Sequence, residues 1–285
     1  MPQNLNGIMV KLGFFLNTPI PSSAVNFIVK NSNANYSGVW LQENSPREGC
    51  YNPPIYDSED ELICNSDIAI IGTSNNFTFD LAAKAIKKGV IPIFADMPGL
   101  SYTLLNQLNL LSAEMGISIG FGLLGFYPAE ITLPLEIPFI AYLKRRIDTS
   151  NLGADGFRAI LTYDLASALK LSKLDIHRVK LFCLPHHSNT PNHLMVTVDF
   201  NNNSVFTYTL QNQRGSNHLD IEVFAGRNSR SLNYTYSDIH RGIDAKGIVK
   251  CINGATAHTK PGQDDIELAM ATARLTEEVM SKINP

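Results

Sequence analysis

Residues 66–129 read SDIAIIGTSNNFTFDLAAKAIKKGVIPIFADMPGLSYTLLNQLNLLSAEMGISIGFGLLGFYPA. Short apolar runs at 68–73, 90–95 and 117–121 alternate with two stretches of helical spacing, and polar turns separate them. In the first helical stretch Phe79, Leu81, Ala82, Ala85 and Ile86 share a face, and Gly89 stands where a left-handed C-terminal cap is wanted. In the second, Ser101 is placed to cap a helix carrying Leu104, Leu105, Leu108, Leu111 and Met115, and Gly116 closes it. Apolar runs of this length between turns fit strands buried on both faces. Strands alternating with helices specify a parallel sheet wrapped by helices.

The same rhythm extends toward the N-terminus. Residues 8–16 form a strand candidate, followed by a turn at 17–23. Helical spacing over 24–30 has Pro21 and Ser22 as start signals. Residues 36–42 read as a second strand, 44–58 as a proline-containing loop and 59–64 as a short helix. Beyond about residue 150 the style changes. A helix over 164–171 is followed by strand patterns at 178–184, 193–200, 204–211 and 219–225, with a hairpin turn at Asn201-Asn202-Asn203. An amphipathic helix over 264–283 closes the chain. The second half is therefore expected to hold a largely antiparallel sheet with a few helices.

Bulk properties narrow the function classes. The chain has 285 residues, 44% apolar and 17% charged, which is the balance of a folded protein of one or two domains. A net charge of −3 gives no electrostatic reason to expect a nucleic-acid partner. The one basic cluster, Lys144-Arg145-Arg146, reads as the solvated end of a helix. The most apolar window, 117–143, carries Glu130, Glu136 and three prolines, a mixture that excludes a spanning helix. The first residues hold no basic segment followed by an apolar run, so secretion is not expected. Cys50, Cys64, Cys183 and Cys251 are far apart and form no CxxC pair, so they are read as free thiols of a cytoplasmic protein. His186, His187 and His193 are read as part of a surface loop, with no metal site expected.

The segments DIAIIGTSNNFTFDLAAKAIKKG, IPIFADMP and GFYPA, in that order and spacing, resemble the glucose-fructose oxidoreductase / inositol dehydrogenase / MocA family. The stretch GFRAILTYDLASALKL resembles the start of that family's second domain. The resemblance implies an α/β Rossmann-type dinucleotide-binding domain over 1–125. An α+β domain with an open, largely antiparallel sheet would follow over 126–285. It implies NAD or NADP as cofactor, a sugar- or polyol-like hydroxyl as substrate, and dimers or tetramers.

Carried over residue by residue, the family's motifs fall on unusual residues. The glycine-rich turn that lets a pyrophosphate approach a helix N-terminus falls on Leu16-Asn17-Thr18-Pro19-Ile20-Pro21, without a glycine. Pro19 and Pro21 also lack an amide donor, and the hydroxyls of Ser22 and Ser23 are the donors that follow. Glu43 falls where the family holds the ribose hydroxyls, and reads equally as an exposed residue after a strand. The family's Glu-Lys-Pro triplet becomes Asp96-Met97-Pro98, and a thioether cannot move a proton. The family's paired Asp and His correspond to Ala159 and Tyr163, with Asp164 next in sequence. The family's Arg-Phe becomes Gly125-Phe126.

The cofactor-binding set expected on these grounds is Asn17, Thr18, Ser22, Glu43, Thr73, Asn75, Asp96 and Pro98. The catalytic candidates are Tyr163 as acid and Asp164 as its orienting group. Both residues also read as a helix N-terminal region, with Asp164 favoured by the helix dipole. Two functions stand side by side: an NAD(P)-dependent oxidoreductase, and a non-catalytic relative that binds a small ligand or a partner. A small-molecule ligand and a homo-oligomer are expected, with neither nucleic acid nor membrane as partner.

Overall fold

The computed structural model describes residues 9–17, 22–42, 54–72, 76–95, 99–122, 138–149, 153–172, 176–184, 191–226, 228–235, 245–256 and 263–283. The chain divides into two compact units, 1–124 with 242–270, and 125–241 with 271–285.

The first unit alternates β1 (Lys11–Leu16), α1 (Ser22–Asn31), β2 (Asn35–Leu41), β3 (Ile55–Tyr56), α2 (Glu59–Cys64), β4 (Ile68–Gly72), α3 (Asn76–Lys87), β5 (Ile91–Phe94), α4 (Tyr102–Met115) and β6 (Gly120–Phe121). The six strands lie in the order β3-β2-β1-β4-β5-β6, all parallel. This is the doubly wound order of a dinucleotide-binding sheet, with its switch point between β1 and β4. Burial on both faces explains the unbroken apolar runs: Leu12, Phe14, Phe15 and Leu16 of β1 and Ile68, Ala69 and Ile70 of β4 are fully buried. The helix ends follow local chemistry. Ser101 Oγ accepts the Leu104 N–H at 3.3 Å, and Gly116, with φ +66°, takes the left-handed cap conformation.

A helix from far along the chain completes this unit. α6 (Ala245–Thr256) places Ile248 and Ile252 in the same core as Leu12, Phe14, Ile70 and Ile93. A Cβ on Gly122 would stand 2.6 Å from Ile248 Cγ1, so glycine at that position makes room for the helix. The sequence reading assigns everything after residue 125 to one second domain. The packing of α6 instead joins residues 242–270 to the first unit.

The second unit is built on β7 (Phe139–Ile147), α5 (Ala154–Ser172), β8 (Ile176–Leu184), β9 (His193–Phe200), β10 (Val205–Asn212), β11 (Asn217–Ala225) and β12 (Asn228–Thr235). The last helix, α7 (Gln263–Ile283), starts in the first unit and ends in this one. The sheet order is β12-β11-β7-β10-β9-β8, antiparallel at every step except β7–β10. One face is packed: Ala141, Leu143, Val196, Val198, Phe206, Tyr208, Leu219 and Ile221 point into the core.

Three sequence expectations change here. Residues 139–147 form a strand, so Lys144-Arg145-Arg146 is not a helix end. Alternation along β7 turns Arg145 into the core and leaves Lys144 and Arg146 on the other face. β12 was not foreseen. The helix expected over 164–171 begins at Ala154, which places Asp164 in its middle rather than at its N-terminus. No helix among the described residues is long and apolar enough to cross a membrane.

Candidate functional site

In a doubly wound sheet, ligands sit beyond the carboxyl ends of the parallel strands. Here that edge is formed by Leu16 and Asn17, Leu41 and Gln42, Gly72, Phe94 and Ala95, and Phe121 and Gly122. Several main-chain donors at this edge are already committed within the sheet. Asn17 N–H donates to Gly72 O at 3.1 Å and Gln42 N–H to Leu16 O at 2.9 Å. Ala95 N–H donates to Ile71 O at 2.8 Å and Gly122 N–H to Phe94 O at 2.7 Å. Aromatic pairs flank the edge. Trp40, near the end of β2, stacks on Phe77 in the first turn of α3 with ring centroids 5.3 Å apart. Phe94 stacks on Phe121 at 5.2 Å.

The expected cofactor residues divide as follows. Asn17 ends β1 at this edge, and Ser22 opens α1. Thr18, Glu43, Thr73, Asn75, Asp96 and Pro98 lie outside the described residues, as does Met97. The donor set after β1 does not fit a pyrophosphate held in the usual way. The Asn17 N–H is taken by Gly72, Pro19 and Pro21 have no N–H, and no glycine lies between residues 16 and 23.

The two catalytic candidates lie in the core of the second unit. α5 packs on the covered sheet face with Phe157, Ile160, Leu161, Asp164 and Ala168 on one side of the helix. Asp164 therefore enters an apolar layer, where a lone carboxylate would be costly. Arg145, on β7, meets it there. Arg145 Nε donates to Asp164 Oδ2 at 3.0 Å and Nη2 donates to Oδ1, a two-pronged pair. Both side chains are fully buried. Burial alone works against the Arg145 charge, but Asp164 more than offsets it and the guanidinium pKa is raised.

Two tyrosines complete this cluster. Tyr163 is buried beside Asp164 in sequence. Tyr208, on β10, is fully buried, and its hydroxyl makes no hydrogen bond of ordinary geometry. Burial pushes its pKa well above the usual tyrosine range, and the nearby Asp164 carboxylate pushes it further. An aspartate locked in a bidentate pair away from solvent orients its arginine and neutralises it. It is not placed to exchange a proton with a ligand.

Arg145, expected at a solvated helix end, is instead a buried core cation. The signal was present: along 139–147 the inward positions read Phe139, Ala141, Leu143, Arg145 and Ile147, so a single cation stands in an apolar row. Asp164 breaks an apolar helix face in the same way, and two such breaks require each other. Among the described residues no group of His, Cys, Asp or Glu is arranged to hold a metal ion. His193 is an exposed residue of β9, while His186 and His187 lie outside the described residues. Among the described residues Cys64, Cys183 and Cys251 form no disulfide.

No protein-family model and no curated protein matches the chain. Solved structures do match over nearly its whole length. UDP-N-acetylglucosamine 3-dehydrogenase GnnA from Acidithiobacillus ferrooxidans aligns with a TM-score of 0.75 at 14% identity, covering 97% of this chain and 98% of that one. GenD2 from gentamicin A biosynthesis, solved in complex with NAD, aligns with a TM-score of 0.69 at 14% identity, covering 96% and 94%. Scyllo-inositol dehydrogenase from Lactobacillus casei aligns with a TM-score of 0.67 at 8% identity, covering 96% of each chain. The resemblance carried by residues 66–129 and the architecture of both sheets agree: the chain has the fold of the glucose-fructose oxidoreductase / inositol dehydrogenase / MocA dehydrogenases.

Proposed function

We propose that this protein is a divergent relative of the NAD(P)-dependent sugar and polyol oxidoreductases that keeps their scaffold as a small-ligand-binding module and does not carry out their hydride transfer. The observation that carries this reading is the burial of Asp164 in its pair with Arg145. Hydride transfer from a hydroxyl needs a group that takes the hydroxyl proton, and loss of such a group costs about 10²–10⁴-fold in rate. By resemblance Met97 stands where the family has its lysine, and Ala159 and Tyr163 stand where it has Asp and His. Ala159 has no acidic proton, and Tyr163 is buried.

The competing reading is a working NAD(P)-dependent oxidoreductase acting on a sugar- or polyol-like hydroxyl. The fold itself favours it, since the structural neighbours are dehydrogenases. Under that reading the residues at and after the carboxyl end of β1 would cradle the phosphates by side-chain donors, the Asn17 amide and the Thr18 and Ser22 hydroxyls, in place of glycine amides.

Calorimetric titration with NADH and NADPH to millimolar concentration separates the two, followed by turnover assays on a panel of sugars and polyols. The binding-module reading expects no micromolar affinity for either nucleotide and no turnover. Micromolar binding together with substrate-dependent oxidation or reduction overturns it. Met97→Lys sharpens the test, because a lysine there raises turnover only if a nicotinamide already binds beside it.

A further inference from the structure

The second unit's sheet ends on one side at β8, which pairs only with β9. A terminal strand turns a row of main-chain N–H and C=O groups toward solvent, where another extended chain can add. The two ends of this sheet differ in sequence. β12 reads NSRSLNYT, polar at every position but Leu232 and Tyr234. β8 reads IHRVKLFCL, and its last stretch, 179–184, holds five apolar residues with a single lysine and neither proline nor glycine. That is the composition of a segment prone to strand addition. Phe182 and Leu184 are 49% and 43% exposed.

The end of α7 stands at this edge. Lys282 Nζ donates to the Val179 carbonyl at 3.1 Å. Residues of an antiparallel strand alternate between those that bond to the neighbouring strand and those whose N–H and C=O point away from it. The contact with Lys282 puts Val179 in the second set, and alternation puts Leu181 there with it. Lys282 therefore sits on the row of groups that an added strand would use. Its ammonium is held from one turn back by Glu278 Oε1 at 2.7 Å. An exposed pair of this kind contributes little to the stability of its own helix. Its consequence is positional. An incoming strand has to break the contact between Lys282 and Val179 and then run alongside a fixed positive charge.

We propose that Lys282 closes the β8 edge against strand addition by other molecules of this chain, and so keeps the second sheet at six strands. Glu278 is the positioning residue that holds the ammonium over the edge. One exposed side chain and one carbonyl make the contact, so its effect lies in association and not in folding.

The test compares assembly of the full chain in the wild type and three single variants. Each is agitated at micromolar concentration well below its melting temperature and followed by thioflavin fluorescence and light scattering. Lys282→Ala opens the edge, and its β-rich assembly begins several-fold sooner than that of the wild type. Lys282→Arg keeps a cation and a donor within reach of the Val179 carbonyl and stays at the wild-type rate. Lys87→Ala removes the same charge from an exposed position on α3 and also stays at the wild-type rate. All three keep the wild-type melting temperature, because each change is made at an exposed side chain. Hydrogen exchange locates the contact: in the Lys282→Ala assemblies the amides of residues 179–184 become protected. Several results overturn the proposal: assembly of Lys282→Ala no faster than that of Lys87→Ala, equally fast assembly of Lys282→Arg, or free exchange of residues 179–184 in the assemblies. A lowered melting temperature of Lys282→Ala overturns it as well, since loss of the fold and not an open edge then drives assembly.

Discussion

The two units treat charge in opposite ways. In the first, the parallel sheet is apolar on both faces and the ion pairs among the described residues sit at the rim: Lys84 of α3 reaches Glu59 of α2 at 2.8 Å and Asp60 at 3.5 Å, with all three side chains partly solvated. In the second, the mixed sheet has one covered face, and there an arginine and an aspartate are sealed together at full burial. A rim pair only adjusts an edge that water already solvates. A core pair decides which residues of a strand and a helix can face each other, because either charge alone in that layer is far more costly than the two together. Asp164, a catalytic candidate in the sequence, is the buried partner of that core arginine.

The contrast is broken most directly at Arg145. Arg145→Met leaves Asp164 buried without its cation, and the second unit should lose about 3–5 kcal/mol, read as a large drop in denaturant midpoint. The double variant Arg145→Met with Asp164→Leu should recover most of that loss, because an apolar pair of similar volume replaces the ions. If Arg145→Met alone is as stable as the wild type, the pair does not act as a core determinant, and Asp164 returns as a candidate for chemistry.

The same contrast explains which parts of the chain were readable. β4, α3, β5 and α4 were evident because strands buried on both faces are apolar at every position, and because Ser101, Gly89 and Gly116 mark the helix ends. β7 was hidden for the reverse reason. Its outward positions include Ile140 and Tyr142, and its inward positions include Arg145, so period-two alternation is erased. β12, NSRSLNYT, has too few apolar residues to announce a strand, and it is held by pairing with β11. The start of α5 lies between Gly153 and Gly156, poor helix formers whose cost is offset by burial of Phe157, Ile160 and Leu161. α6 could not be assigned to the first unit from sequence, because nothing local in residues 245–256 indicates which core Ile248 and Ile252 enter.

Tyr208 sharpens the account of the charged core. Its hydroxyl is buried without an ordinary hydrogen bond, so Tyr208→Phe removes an unsatisfied polar group. That change should be neutral to stabilising, by up to about 1–3 kcal/mol near neutral pH. The pH dependence has a defined sign. Burial raises the native pKa above the unfolded value, so the native state holds its proton more tightly. This stability is fully present below the unfolded tyrosine pKa of about 10 and is lost as pH rises above it. The wild type should therefore weaken more steeply in alkali than Tyr208→Phe, and equal slopes in alkaline titrations of stability would show that the phenol is solvated.

The smallest effect lies at the rim of the first unit. The hydrogen bond from Lys84 lowers the Glu59 pKa, while burial opposes it. The same contact raises the Lys84 pKa. A carboxylate with a depressed native pKa adds stability above its unfolded value and loses it as pH falls through the native one, so the contribution fades in acid below about pH 4.5. Lys84 adds its share below its unfolded value, and that share fades in strong alkali. Both side chains are exposed enough for salt and water to screen the pair, so Glu59→Gln should cost about 0.5 kcal/mol at neutral pH and nothing at pH values where Glu59 is protonated. A cost several times larger, insensitive to added salt, would mean that this pair is shielded as Arg145 and Asp164 are. The difference between the units would then lie in which elements the charges join, not in how deeply they are buried.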